Sequence, residues 1–335
     1  MIKEAVKILR ARDLSTLETE QVMEEIMGGE SEVADVVSFL TQLSNRGETP
    51  DELLAAVKVM RRHATRIKTK QKVLLDTCGT GGDKKGTFNI STAVAFVVGG
   101  SGVAVAKHGN RSVSSKCGSA DILEALGINI KMTPDKIQEC LDKIGIAFLF
   151  AQSLHPAMKY AMPARKQIAR RTIFNLIGPL SNPAGATHQL IGVFGKEWTR
   201  SFAEVLAKLG TRHALVVAGK DGLDEITTTD STEVSEENNG KITDYEIAPE
   251  DFGIKKAKIS DLAGGDASLN AKILLDLLEG KSGPVRDIVL LNAAAGLYAA
   301  DQAGSIKEGI GIARDSIDSK KALNKLNLLK EYSNT

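Results

Sequence analysis

Cysteine is scarce in this chain of 335 residues: Cys78, Cys117 and Cys140 are an odd number at spacings that match no common metal-ligand pattern. That argues against both a disulfide framework and a cysteine-based zinc site, and fits a reducing compartment. Aromatic residues are only 4% of the chain, too few for a base-stacking platform. An excess of one charge is also missing, since 43 Lys and Arg face 42 Asp and Glu for a net +1. A near-neutral chain is a poor candidate for a dedicated binder of nucleic acid or anionic membrane. No long hydrophobic run exists; the longest, residues 93–106, is broken by glycines and too short to span a bilayer. The first residues carry charges every few positions and lack the apolar core of a signal peptide. A cytoplasmic protein with neither a nucleic-acid nor a membrane partner is expected. No internal repeat or low-complexity segment stands out.

What is present is an ordinary globular mixture, 42% hydrophobic and 25% charged. At roughly 150 residues per domain the length suggests about two domains with a sizeable core. Glycine is the outlier, at 31 of 335 residues, against an average near 7%.

The first 70 residues read as helices only. Ser15 with Glu18 starts one helix and Gly28-Gly29 stops it. Thr49-Pro50-Asp51-Glu52 combines an N-cap, a proline at the first helical position and a capping-box glutamate. Leu53, Val57, Met60, Ala64 and Ile67 then form a stripe at helical spacing, a core face or a subunit contact. From residue 71 strands alternate with helices: strands near 72–76, 103–108, 147–151, 190–194 and 214–218, helices near 90–100, 120–126, 134–145 and 198–209. This is the pattern of an α/β domain with a mostly parallel sheet. Asn239-Gly240 marks a surface hairpin. The tail reads as three helices, near 266–280, 284–300 and 305–330. Residues 162–186 break the alternation, being basic first and then turn-rich, and suggest a return to the helical domain. The expected fold class is therefore α/β: a small helical domain plus a larger domain whose mostly parallel central sheet is flanked by helices. The division is 1–70 with a return segment 165–186, against 71–164 and 187–335. Two crossings between domains would create a cleft, a common ligand location.

Three loops carry chemistry, each just past a strand, where open α/β sheets bind ligands. In Asp76-Thr77-Cys78-Gly79-Thr80-Gly81-Gly82-Asp83 the glycines let backbone N–H groups approach phosphate oxygens, and a helix N-terminus near Asn89-Ile90-Ser91-Thr92 adds its dipole and two hydroxyls. A plain tight turn is the alternative. It is neither a nucleotide P-loop nor GxGxxG. Asp83 repels anions, so it would hold a ribose hydroxyl or orient the loop. The second loop, from Lys107 to Asp121, gathers cationic groups and serines as a second anion site, or is a solvated basic loop. His108 there could be a base, or a neutral hydrogen-bonding group. In the third, Asp224-Glu225 beside phosphate loops suggests Mg²⁺, which takes one or two carboxylates and keeps several waters. Arg165 is the leading charged candidate for a second substrate pocket, with Gly178-Pro179 as its wall.

Together these blocks resemble the anthranilate phosphoribosyltransferase family: GTGGD at 79–83, NIST at 89–92, KHGNR at 107–111, GSAD at 118–121, RTIFNLIGPLSNP at 171–183 and GLDE at 222–225. They run in the family's order over essentially the whole chain. The resemblance implies a homodimer through the helical domain, and transfer of a phosphoribosyl group from phosphoribosyl pyrophosphate (PRPP) to the amine of anthranilate. It implies that PRPP lies on Gly79, Gly82, Asp83, Thr87, Asn89, Ile90, Ser91, Thr92, Lys107, His108, Gly109, Asn110, Arg111, Ser112, Val113, Ser114, Ser115 and Ser119. It implies that anthranilate touches Gly79, Asn110 and Arg165, and that Ser91, Asp224 and Glu225 hold Mg²⁺. No acid or base is assigned; His108 is a candidate contact. The stretch 226–239 is more polar than the family pattern suggests. Two other readings compete. A pyrimidine nucleoside phosphorylase shares the glycine and lysine loops but is usually longer. A non-catalytic nucleic-acid-binding relative should be strongly basic and lack the metal acids.

Overall fold

The computed structural model describes residues 1–112 and 117–335. The N-terminal part is helical: α1 (Ile2–Ile8), α2 (Thr16–Gly28), α3 (Val33–Arg46) and α4 (Pro50–Arg62). Local signals set these ends. Ser15 and Glu18 close a reciprocal capping box on α2, Gly29 ends it at φ 76°, and Thr49 and Glu52 close a second box on α4. The apolar stripe does not run on as one helix, because α4 stops at Arg62. Leu53, Val57 and Met60 are buried in the helical cluster, whereas Ile67 lies in an extended segment and is buried against the sheet domain.

The chain then alternates: β1 (Leu74–Asp76), α5 (Ile90–Gly100), β2 (Ala104–Gly109), α6 (Ser119–Ala125), α7 (Pro134–Lys143), β3 (Ile146–Phe150). Three helices follow, α8 (Ala151–Leu154), α9 (Met158–Ile168) and α10 (Ile173–Leu176), before β4 (His188–Gly192), α11 (Glu197–Leu209) and β5 (His213–Gly219). The first strand is shorter than expected, since Lys72 and Val73 are exposed and unpaired with β2. Helices α9 and α10 leave the sheet and pack on α3 of the N-terminal part.

The hairpin β6 (Thr232–Asn238) and β7 (Lys241–Ile247) turns at Asn239-Gly240, both at positive φ. The tail is α12 (Ala267–Leu278), α13 (Pro284–Ala299), α14 (Ile306–Asp318) and α15 (Lys321–Ser333). The single last helix expected near 305–330 is in fact two. The chain breaks at Lys320, φ 64°, which lets α15 turn back and pack on α5.

The strands form one sheet in the order β3-β2-β1-β4-β5-β6-β7, parallel from β3 to β5 and antiparallel beyond. From β1 the chain winds outward one way through β2 and β3, then returns to place β4 on the other flank of β1. That makes the β1/β4 border the switch point, where crevices form beyond the strand carboxyl ends. Alternate residues face opposite layers. Leu215 and Val217 of β5 join the core under α5 and α13, while Ala214 and Val216 join α11 and the helical cluster. One core is thus shared across the helical part and one sheet face.

Candidate functional site

The loops after β1, β2, β4 and β5 meet at the switch point. Lys107, on β2, is 4% exposed, and its ammonium lies 3.1 Å from Ser91 Oγ and 3.4 Å from both the carbonyl and the hydroxyl of Thr77. Ser91 stands in the first turn of α5, whose N-cap Asn89 accepts the Thr92 N–H at 3.0 Å and is itself held by Asn270 through its own N–H at 2.9 Å. Ile90 and Thr92 are buried. The Thr92 hydroxyl has no hydrogen-bond partner among the described residues, and the Ser91 hydroxyl stands beside Lys107.

Gly79 sits against β4, where a Cβ would lie 2.8 Å from the Gly192 carbonyl; Thr80 N–H donates to that same oxygen at 2.8 Å. Gly82 has φ +82°, and its carbonyl accepts from Arg171. Asp83 turns back to accept Lys85 N–H at 3.0 Å, and Thr87 bridges to Ala263. Asp224 and Glu225 are half-exposed by surface area, although both lie in crowded surroundings. Burial pushes both carboxyls toward protonation, Glu225 to about 8; the neighbouring Asp83 adds to it, and Lys107 and the Ser91 N–H oppose it for Glu225. Carboxylates crowded against one another and raised by burial are the electrostatic signature of a cation site, and the donors are all hard oxygens. Ser91, Asp224 and Glu225, with Asp83 beside them, therefore fit Mg²⁺.

The second loop differs in detail. His108 and Gly109 are buried at the end of β2, and Gly109 has no room for a side chain, since a Cβ would meet Ser119 Oγ at 2.2 Å. Asn110 is exposed and accepts Gln152 Nε2 at 3.0 Å. Arg111 is ion-paired, with Asp121 at 2.8 Å and bidentately with Glu124 at 2.5 and 2.8 Å, so its charge is matched by α6. Ser112 N–H leans on Asp121, which also caps α6 through Gly118, and Ser119 Oγ donates to the Asn110 carbonyl. Val113, Ser114 and Ser115 lie outside the described residues.

Several participants carry little local signal. Asp76 is fully buried under Lys107; it accepts from Asn182 at 2.7 Å and from the His108 N–H at 3.0 Å, and burial raises it to about 6. Its place at a strand end was the only hint. Arg171 stacks 3.7 Å from the Phe194 ring centre while Ser44 of α3 holds its carbonyl, so it ties the helical part to the glycine loop. His155, after α8, faces His108. Arg165 lies on α9, half-buried, 5.6 Å from the centre of the Phe174 ring. Burial lowers its pKa, and among the described residues no carboxylate pairs with it. Gly178 lines the same region through its carbonyl, 3.2 Å from His108 Nδ1.

Two family descriptions match the chain: "Glycosyl transferase family, helical bundle domain" over residues 6–64 and "Glycosyl transferase family, a/b domain" over residues 71–323. A protein of Methanocorpusculum labreanum named anthranilate phosphoribosyltransferase is 53% identical over 328 residues, covering 97% of this chain and 96% of its own. One of the same name from Syntrophobacter fumaroxidans is 51% identical over 335 residues, with 100% and 99% covered. Among solved structures, anthranilate phosphoribosyltransferase from Thermus thermophilus superposes with a TM-score of 0.94 at 41% identity, over 100% of this chain and 99% of that one. That from Saccharomyces cerevisiae in complex with PRPP and Mg gives 0.91 at 27%, over 99% and 98%.

Proposed function

The chain belongs to the anthranilate phosphoribosyltransferases of the glycosyl transferase family, and from that premise we infer what its site does. The enzyme transfers the phosphoribosyl group of PRPP to the amine of anthranilate, giving N-(5-phosphoribosyl)anthranilate and pyrophosphate, a step of tryptophan biosynthesis. Its cofactor is Mg²⁺. The observation that carries the reading is the convergence of Lys107, Ser91, Asp83, Asp224 and Glu225 at the switch point.

We assign PRPP to the glycine loop at Gly79, Gly82 and Asp83, to Thr87, to the α5 N-terminus from Asn89 to Thr92, and to the loop from Lys107 to Ser115 with Ser119. Backbone N–H groups and the Lys107 ammonium would meet the charge on the departing pyrophosphate in a cleft that fixes them in advance. Mg²⁺, when bound, neutralises that charge further, and Ser91, Asp224 and Glu225 would hold it. Arg165, Asn110 and Gly79 would receive anthranilate; Arg165 is supported by its half-buried charge, which has no carboxylate partner among the described residues. The acceptor amine is neutral and needs no prior deprotonation, so alignment outweighs base strength. His108 suits this: burial depresses it to about 3, which leaves a neutral imidazole beside the acceptor.

The domain division 1–70 with 165–186, against the rest, belongs to the same proposal, as does pairing of two copies through the helical part. That pairing is supported by Leu17, 67% exposed on α2. No helix of the described residues is long and apolar enough to cross a membrane, in keeping with a cytoplasmic site of action. The test is loss of anthranilate fluorescence on mixing with PRPP and Mg²⁺. Thymidine phosphorolysis without anthranilate consumption would overturn the reading in favour of a nucleoside phosphorylase.

A further inference from the structure

Asp224 and Glu225 sit between β5 and β6 on a loop without regular secondary structure, so contacts from outside must fix where their carboxylates point. Two residues supply these contacts from opposite sides. Asn292, in the middle of α13, is fully buried. Its Oδ1 accepts the Ile226 N–H at 3.0 Å; its Nδ2 donates to the Ile226 carbonyl at 2.8 Å and to Ile288 of its own helix at 2.9 Å. A side-chain amide thus takes the place of a neighbouring strand for the residue directly after Glu225. On the other side, β4 ends at Gly192, and a Cβ there would lie 1.6 Å from the Asp224 carbonyl oxygen. The metal-acid loop therefore rests on the same glycine that accepts the Thr80 N–H of the first loop. Within the loop, Asp221 accepts from Leu223 N–H at 3.1 Å, from the Thr227 hydroxyl at 2.7 Å and from Thr229. Thr227 and Thr229, two of the threonines that make this stretch unusually polar, are thus spent on holding it.

Asn292 is out of place by packing alone. Its neighbours Val289, Leu290, Leu291, Ala293, Ala294 and Ala295 are buried and apolar. A buried amide among them is costly unless every donor and acceptor is matched. Here all are matched, and two of the three bonds go to Ile226.

We propose that Asn292 is a positioning residue for the divalent cation: by holding both backbone groups of Ile226 it sets the direction of the Glu225 and Asp224 carboxylates without touching cation or substrate. The proposal rests on the reading of Asp224 and Glu225 as the metal acids. Residues that orient metal ligands typically cost 10- to 100-fold in metal affinity when replaced.

Asn292→Asp keeps the acceptor and loses the donors; Asn292→Ser shortens the reach. In both, Mn²⁺ affinity in the presence of PRPP, read by electron paramagnetic resonance, should fall roughly 10- to 100-fold. The half-saturating Mg²⁺ concentration should rise in parallel, while KM for anthranilate stays put. Leu278→Ala, a core truncation on α12, should lower Tm without moving Mn²⁺ affinity. Wild-type Mn²⁺ affinity in either folded Asn292 variant overturns the proposal. Asp224→Asn with Glu225→Gln separates the two levels of the argument. If that double variant also binds Mn²⁺ as the wild type does, the metal-acid reading falls; if it alone loses binding, only the role of Asn292 falls. Amide exchange on the wild type keeps the test independent of variant folding: the Ile226 N–H should be strongly protected, and rapid exchange there overturns the clamp.

Discussion

The Nε2 atoms of His108 and His155 lie 3.2 Å apart, and both rings are buried. One proton lies between the two Nε2 atoms. His108 Nδ1 faces the Gly178 carbonyl, which can only accept, so Nδ1 carries a hydrogen and Nε2 accepts from His155. That leaves His155 Nδ1 bare and, among the described residues, without a partner. Burial depresses both, His108 to about 3 and His155 to about 4, with His155 adding to the shift of His108.

The pair has a consequence for acid stability. An unfolded histidine titrates near 6.5. Below that pH the unfolded chain binds protons that the buried neutral rings refuse. Their contribution is therefore complete above about pH 6.5 and declines as the pH falls toward 4 and 3. His155→Asn should flatten the drop in stability between pH 7 and pH 5 by on the order of 1–2 kcal/mol. Thermal melts at the two pH values measure it; an unchanged drop would mean that His155 titrates freely.

Replacing the two metal acids should separate activity from stability. Asp224→Asn with Glu225→Gln removes crowded like charges at half-exposed positions, so Tm should hold or rise. Turnover should fall by about 10²-fold or more, several kcal/mol of transition-state stabilisation. Near-normal turnover at limiting Mg²⁺ would remove these residues from the site.

Gly79 and Gly82 of the first loop should fail differently. Gly82→Ala puts a side chain on a residue at φ +82°, which costs roughly 1–2 kcal/mol locally. Because the loop is at the surface, the loss should show in PRPP affinity more than in Tm. Gly79→Ala instead drives a Cβ against the Gly192 carbonyl, so both PRPP affinity and Tm should drop. Calorimetric titration beside thermal melts decides, and unchanged PRPP affinity in both would leave the glycines with a turn-forming role only.

Arg165 should act on one substrate. Losing a charge-assisted pair costs roughly 1.5–3 kcal/mol, so Arg165→Ala should raise KM for anthranilate about 10- to 100-fold and leave that for PRPP nearly unchanged. Arg165→Lys should fall between, since a lysine lacks the planar fork. Arg170, already bound to Thr41 and Asn45 of α3, should matter much less. A rise in KM for PRPP alone would place Arg165 on the phosphate side.

Features governed by a few adjacent residues were legible in the sequence by itself. The capping boxes at Ser15 and Thr49, the hairpin turn at Asn239-Gly240 and the alternation of strand and helix all follow from local backbone preference and side-chain period. So does the placing of glycine-rich and acidic stretches just past strands. The tertiary structure decided what depends on distant partners. Asn292 meets Ile226 across 66 positions, His155 meets His108 across 47, and Arg171 meets Gly82 across 89. It also decided that the Thr92 hydroxyl is buried without a partner among the described residues and that Arg111 spends its charge on α6. Nothing within a few residues of Asn292 or Gly192 favours the contacts they make, because packing brings those partners together only once the sheet has closed around its switch point.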